Sequence, residues 1–300
     1  MVWIIAILAS AAVMSITNIT DSHLLSKKMP SLAAYLLPIG MTHLVIGSIM
    51  LAVFSFPADA VLPVLAAIGT GLINGAAAIL VLNTMRQGEV SRIIPVISSS
   101  PIFVALLSVP LLGEAVGLQD WLGILLTVAG AILVSIQRDG NGRKVKLQKS
   151  FILLVAASLM YAISNVSSKY ALETISFWTM FSLNSICCAI VYLLYSARKT
   201  TIGELKNLKQ PTRTLGMTVA NQCIVCVGVL LSFFAVEKGP ISLVSAVANI
   251  RPAFVFLIAV TLSRFFPGVV DERLTRGTVI LKFSAIAIII GGVTLLTLAI

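Results

Sequence analysis

"GEVSRIIPVISSSPIFVALLSVPL" (residues 88–111) and "GPISLVSAVANIRPAFVFLIAVTL" (residues 239–262) align without a gap at an offset of 151 residues, and nine of 24 positions are identical. Apolar bias accounts for several of the Val and Leu matches. It does not account for Gly88 with Gly239 and Pro101 with Pro252 at one spacing, which mark an internal repeat. A second rhyme supports it: "SITNITDS" from Ser15 resembles "YAISNVSSK" from Tyr161 and pairs Asn18 with Asn165.

The repeat sits in a chain made for lipid. Of its 300 residues, 58% are hydrophobic and 11% charged, against about 25% charged in a soluble domain. Mean hydropathy is +1.05. About 20 apolar residues span the hydrocarbon core as a helix. Ten such runs are predicted, at about 2–25, 31–55, 59–84, 90–112, 118–137, 150–172, 176–197, 214–236, 240–263 and 277–299. Barrel-type alternation is absent, so the expectation is an all-α membrane protein. The first run lacks a basic leader and reads as a retained transmembrane helix. The repeat then divides the chain into units at 1–140 and 150–300, joined by a basic linker at 138–149. Five helices is an odd number, so the second unit lies upside down relative to the first. The predicted fold class is ten transmembrane helices in two inverted five-helix repeats, an arrangement typical of secondary transporters.

The motif itself adds to this. "G-x-x-S-x-x-x-P-x-x-x-x-x-P-x-F" from Gly88, "LLGE" at Leu111–Glu114 and "WLGILLTVAGAILVS" from Trp121 resemble the repeat of the drug/metabolite transporter superfamily, in its EamA-domain branch. The second copy keeps "GPISLVSAVANIRPAF" but inserts "SRFFPGVVDE" before the last run, leaving Glu272 as the counterpart of Glu114. The resemblance implies a carrier of small metabolites, with efflux as the default direction and both termini inside. It does not imply a particular cargo.

Charge implies a different sidedness. Loops after odd-numbered runs carry seventeen Lys and Arg, and loops after even-numbered runs carry at most Lys169 and Lys238. The positive-inside rule puts the odd loops in the cytoplasm and both termini outside a multi-pass cell membrane protein. The net charge of +10 is loop charge without aromatic interleaving or a continuous basic face, so no nucleic-acid partner is expected. The expected partners are the bilayer and a small-molecule substrate, and the sequence favours neither monomer nor homodimer. No metal or cofactor motif is present. "CIVC" at Cys223–Cys226 lacks a second ligand pair, and the four cysteines read as small buried residues.

Candidate site residues gather at the repeat. Arg251 lies about 16 Å beyond Pro240 at 1.5 Å per residue, near mid-bilayer, where insertion costs about 2.5–3.5 kcal/mol. Either it faces a wet cavity and binds a carboxylate or phosphate of the cargo, or it bonds carbonyls freed by Pro252. Pro95, Pro101 and Pro252 are expected to break their helices and serve the site or gate, unless they merely shape them. Beside them stand Ser98, Ser100, Ser245 and Asn249. Asn18, Asn165 and Tyr161 either line the same wall or hydrogen-bond between helices. Asp21 either couples transport to protons or is a solvated helix end. Lys282 is expected to snorkel, His23 and His43 show no partner pattern, and Gly71 with Gly75 form a GxxxG packing face.

Secondary transport is thus the leading class. A receptor or assembly subunit would usually carry a longer loop or soluble domain, and an intramembrane enzyme would need a nucleophile–base or metal set that HExxH or GxSxG would signal. A reporter active only in the cytoplasm, fused to either terminus, is expected to be silent. Activity at both termini would reverse the charge-based orientation.

Overall fold

The computed structural model describes residues 1–54, 59–86, 96–135, 149–265 and 276–298, and they contain no strand. Helix α1 (Val2–His23) runs into a π-helical turn, Leu24–Lys28, before α2 (Leu32–Val53) and α3 (Val61–Arg86). The short pair α4 (Ser100–Leu112) and α5 (Leu118–Ser135) follows. Then come α6 (Lys149–Leu172), α7 (Phe177–Ser196), the short α8 (Lys199–Lys206) and α9 (Pro211–Lys238). The chain ends in α10 (Ile241–Ala248), α11 (Arg251–Phe265) and α12 (Arg276–Leu298). Among the described residues eight segments are long and apolar enough to cross a membrane, and α4 and α5 are shorter apolar helices. Residues 138–148 of the basic linker, Pro95, Glu272 and the start of the first repeat segment lie outside the described residues, and Lys149 already belongs to α6.

Two departures from the apolar runs have local causes. The ninth run is not one helix: Asn249 and Ile250 form a turn, and α11 starts at Arg251 with Pro252 behind it. Proline lacks the N–H that would have continued α10. Helix α8 was not expected, because its charged residues hid an amphipathic turn lying between two membrane runs.

The strongest packing is between α2 and α7, α5 and α12, α3 and α6, and α1 and α9. Lipid is as apolar as leucine, so these helices associate by close backbone approach rather than by hydrophobicity. A Cβ on Gly71 would lie 2.6 Å from the Cys187 side chain and 2.8 Å from the Asn184 carbonyl, and one on Gly75 would lie 3.0 Å from Val191. The GxxxG of α3 is therefore a seat for α7. Helices α5 and α12 meet the same way, a Cβ at Gly130 falling 2.9 Å from the Ala285 carbonyl.

Lys169 and Lys282 depart from their expected roles. Lys169 belongs to α6, and its Nζ donates to the carbonyls of Val236 and Gly239 at 3.0 Å and Glu237 at 3.4 Å, closing the end of α9. Its charge serves a helix C-terminus. Lys282 does not snorkel; it is 5% exposed, with Nζ 4.6 Å from the centroid of the Phe256 ring. Cys223 is exposed, while the other three cysteines are buried as expected.

Gly71→Ala should lower stability by about 1–3 kcal/mol through overpacking, read as a drop in thermal midpoint in detergent. Gly69→Ala on the same helix, with nothing within 4 Å of its Cβ, should leave the midpoint nearly unchanged.

Candidate functional site

The two halves of the repeated segment break at equivalent places. Ser98–Ser99 and Asn249–Ile250 are turns, 151 residues apart. Their backbone bonds match as well. Ser99 N–H donates to Val96 O and Ile250 N–H to Val247 O, at 3.2 and 3.1 Å; Ile102 N–H donates to Ser99 O and Ala253 N–H to Ile250 O, at 3.1 and 2.9 Å. Each break is followed by a proline in the first turn of a new helix, Pro101 in α4 and Pro252 in α11.

The breaks also touch. Asn249 Nδ2 donates to the Ser98 carbonyl at 2.5 Å, so a residue bonds its own repeat counterpart. Ser98, Ser100 and Ser245 are all buried here, and the Ser245 hydroxyl turns back to the Ser242 carbonyl at 3.0 Å. From α1, the fully buried Ser15 donates to the Arg251 carbonyl at 3.1 Å.

Arg251 opens α11 beside this contact. Its Nε is buried with no hydrogen-bond partner, and no described residue bonds or pairs with its guanidinium. The carbonyls freed by Pro252 are not its partners among the described residues. Tyr161 on α6 lies close enough to interact electrostatically with it. Asn165, one turn on, is half-buried, and Asn18 on α1 is exposed. No described hydrogen bond ties either amide side chain to Arg251. The arrangement therefore joins Ser98, Ser100, Asn249, Arg251 and Tyr161, and leaves Asn18 and Asn165 as unbonded amides farther along their helices.

Asp21 is not a solvated helix end. Tyr35 Oη on α2 and Asn221 Nδ2 on α9 both donate to its Oδ1 at 2.5 Å. Tyr35 and Asn221 are buried, and no described cation pairs with the carboxylate. His43 does have a partner: its Nε2 lies 3.2 Å from Gln222 Oε1, and its ring stands edge-on to Tyr192. The sequence carried a signal for this second polar cluster, the adjacent Asn221 and Gln222 inside an otherwise apolar run, and the sequence reading passed over it.

Glu114 was recognised only as part of a motif. Gly113 ends α4 with φ of 66°, a conformation that glycine adopts freely, and the reversal aims the next side chain across the bundle. Glu114 Oε1 and Oε2 accept from the Ile241 and Ser242 amides at 2.5 and 3.1 Å. A carboxylate there satisfies two orphan donors of α10 and complements its dipole.

Comparison with known proteins agrees with this architecture. The model of the EamA-like transporter family matches residues 1–136. A curated relative from Sinorhizobium sp, an uncharacterized transporter in the cobO 3′ region, is 33% identical over 67 residues, which is 22% of this chain and 48% of that protein. The match thus spans about half the length of that relative. A solved crystal structure superposes with a TM-score of 0.67 at 15% identity, covering 99% of this chain and 96% of the other, a likeness of fold alone. With its long apolar helices the chain is a multi-pass membrane protein, and its residues 1–136 are similar to the EamA-like transporter family.

Proposed function

We propose that the protein is a secondary transporter that moves a small polar metabolite, anionic or zwitterionic in the manner of an amino acid, across the membrane by alternating access, with export as its direction. One observation carries this reading: two broken helices meet through Asn249 and Ser98, beside an arginine whose guanidinium has no described partner. A twofold axis relating two inverted five-helix units, 1–140 and 150–300, would bring equivalent residues together in this way. The packing supports the same axis. It would map α2 onto α7 and α5 onto α12, which are contact pairs, and exchange the pair α3 with α6 for α9 with α1.

The chemistry follows from the breaks. Helices α4 and α11 start inside the bundle, and a helix start carries partial positive charge and unpaired N–H groups. Arg251 adds a full charge and a planar fork suited to a carboxylate or phosphate. Serine hydroxyls, Asn249 and Tyr161 supply the neutral contacts, and Asn18 and Asn165 line the approach. Asp21, held between three helices with no cation paired to it among the described residues, is the coupling group of this reading. Rocking of one unit against the other would open the site to each side in turn.

In detergent, a ligand at 100 times its Kd should stabilise the wild type by about 2.7 kcal/mol. Across a metabolite panel, an anionic or zwitterionic compound should raise the thermal midpoint of wild type and not of Arg251→Ala, and should support counterflow in liposomes. An equal response from both proteins, or a response to cations alone, would overturn the assignment.

The bond from Glu114 to the start of α10 ties the two units together, and rocking of one unit against the other would release it. Glu114→Ala should cost about 1 kcal/mol, as loss of a cap does. Amide exchange over residues 241–244 should accelerate, while ligand binding that depends on Arg251 persists.

A further inference from the structure

A second charged feature lies away from the repeat contact. The end of α1, the π-helical turn and the first turns of α9 enclose a pocket of about 120 Å³ lined by His23, Lys28, Gln210, Arg213, Thr214 and Met217. We propose that this pocket binds a phosphate ester, that of an anionic phospholipid headgroup.

Three observations support it. First, the lining contains two cationic side chains and a histidine but no carboxylate. Asp21, two residues before His23, accepts from Tyr35 and Asn221, and Glu204 accepts from Ser31. Lys28 and Arg213 are exposed and have no ion-pair partner among the described residues. Second, polar groups are left over at the same place. The N-cap of α9, Gln210, makes no side-chain cap bond, and Nδ1 of His23 is buried without a partner. At 28 residues α9 is also the longest described helix. Its amino end therefore adds partial positive charge beside Arg213. Third, the pocket opens onto lipid-facing surface. Met217, Ala220, Ile224 and Val227 are exposed along one side of α9 below it, a track along which an acyl chain can lie. Basic pockets between transmembrane helices hold anionic headgroups for these reasons.

The test uses the full-length protein, delipidated in neutral detergent, with phosphatidylglycerol, phosphatidylcholine and sn-glycerol 3-phosphate as probes and native mass spectrometry as the readout. Wild type should retain phosphatidylglycerol in preference to phosphatidylcholine. The double variant Lys28→Gln, Arg213→Gln should bind it roughly 25-fold more weakly, at about fivefold per cation. Gln210→Glu, which puts a repelling carboxylate in the pocket, should weaken it as well. If glycerol 3-phosphate binds wild type as tightly as the lipid does and is lost in the same variants, the phosphate site stands and its ligand is a soluble ester. Equal retention of both lipids, or undiminished binding of phosphatidylglycerol and glycerol 3-phosphate by folded variants, would overturn the proposal.

Discussion

Hydrocarbon offers no hydrogen bonds, so a break in a membrane helix has to be satisfied from inside the protein. This chain carries two breaks and sets them against each other. The Asn249 amide reaches the Ser98 carbonyl, and Ser15 reaches the Arg251 carbonyl. Much of the arrangement depends on that mutual satisfaction. It holds α4, α10 and α11 at the centre of the bundle and brings α1 in beside them. Irregular backbone at such depth is tolerated only where protein or a water-filled cavity covers it.

The charges of the interior are arranged with the same economy. A half-buried arginine and a half-buried aspartate could have cancelled in an ion pair. Instead Asp21 takes its two donors from Tyr35 and Asn221, and Arg251 is left beside Tyr161. Lys169 and Glu114 show what a structural charge looks like here, since each closes a helix end with two or three short bonds. Arg251 has no such set among the described residues. Its Nε has no described partner, and in the function proposed above an anionic cargo takes that place.

The candidate site was partly legible. Proline marks a lost donor wherever it stands in an apolar run, so a weak point at Pro252 beside Arg251 was legible, but Pro38 and Pro110 stand inside unbroken helices and composition alone did not select the break. Gly71 and Gly75 were legible for a similar reason, because small residues at a one-turn spacing permit only close approach. The Asp21 cluster was not, because its partners lie 14 and 200 residues away and hydrogen-bonding capacity alone does not name a partner. Lys282 was misread because a lysine near a helix end has two outlets, water or an aromatic ring, and only the position of Phe256 selects between them.

By itself the sequence determined that the chain lies in a membrane, where most of its long described helices run to within a few residues, and that one segment recurs 151 residues on. These are local properties: hydropathy, the missing N–H of proline, the missing Cβ of glycine. The tertiary structure decided which polar groups meet. It joined Asn249 to Ser98, drew Glu114 to the start of α10 and Lys169 to the end of α9, and gathered His23, Lys28 and Arg213 around one pocket. Such contacts depend on the rotation and depth of each helix against its neighbours. In lipid those are set by packing shape, which no stretch of sequence carries alone.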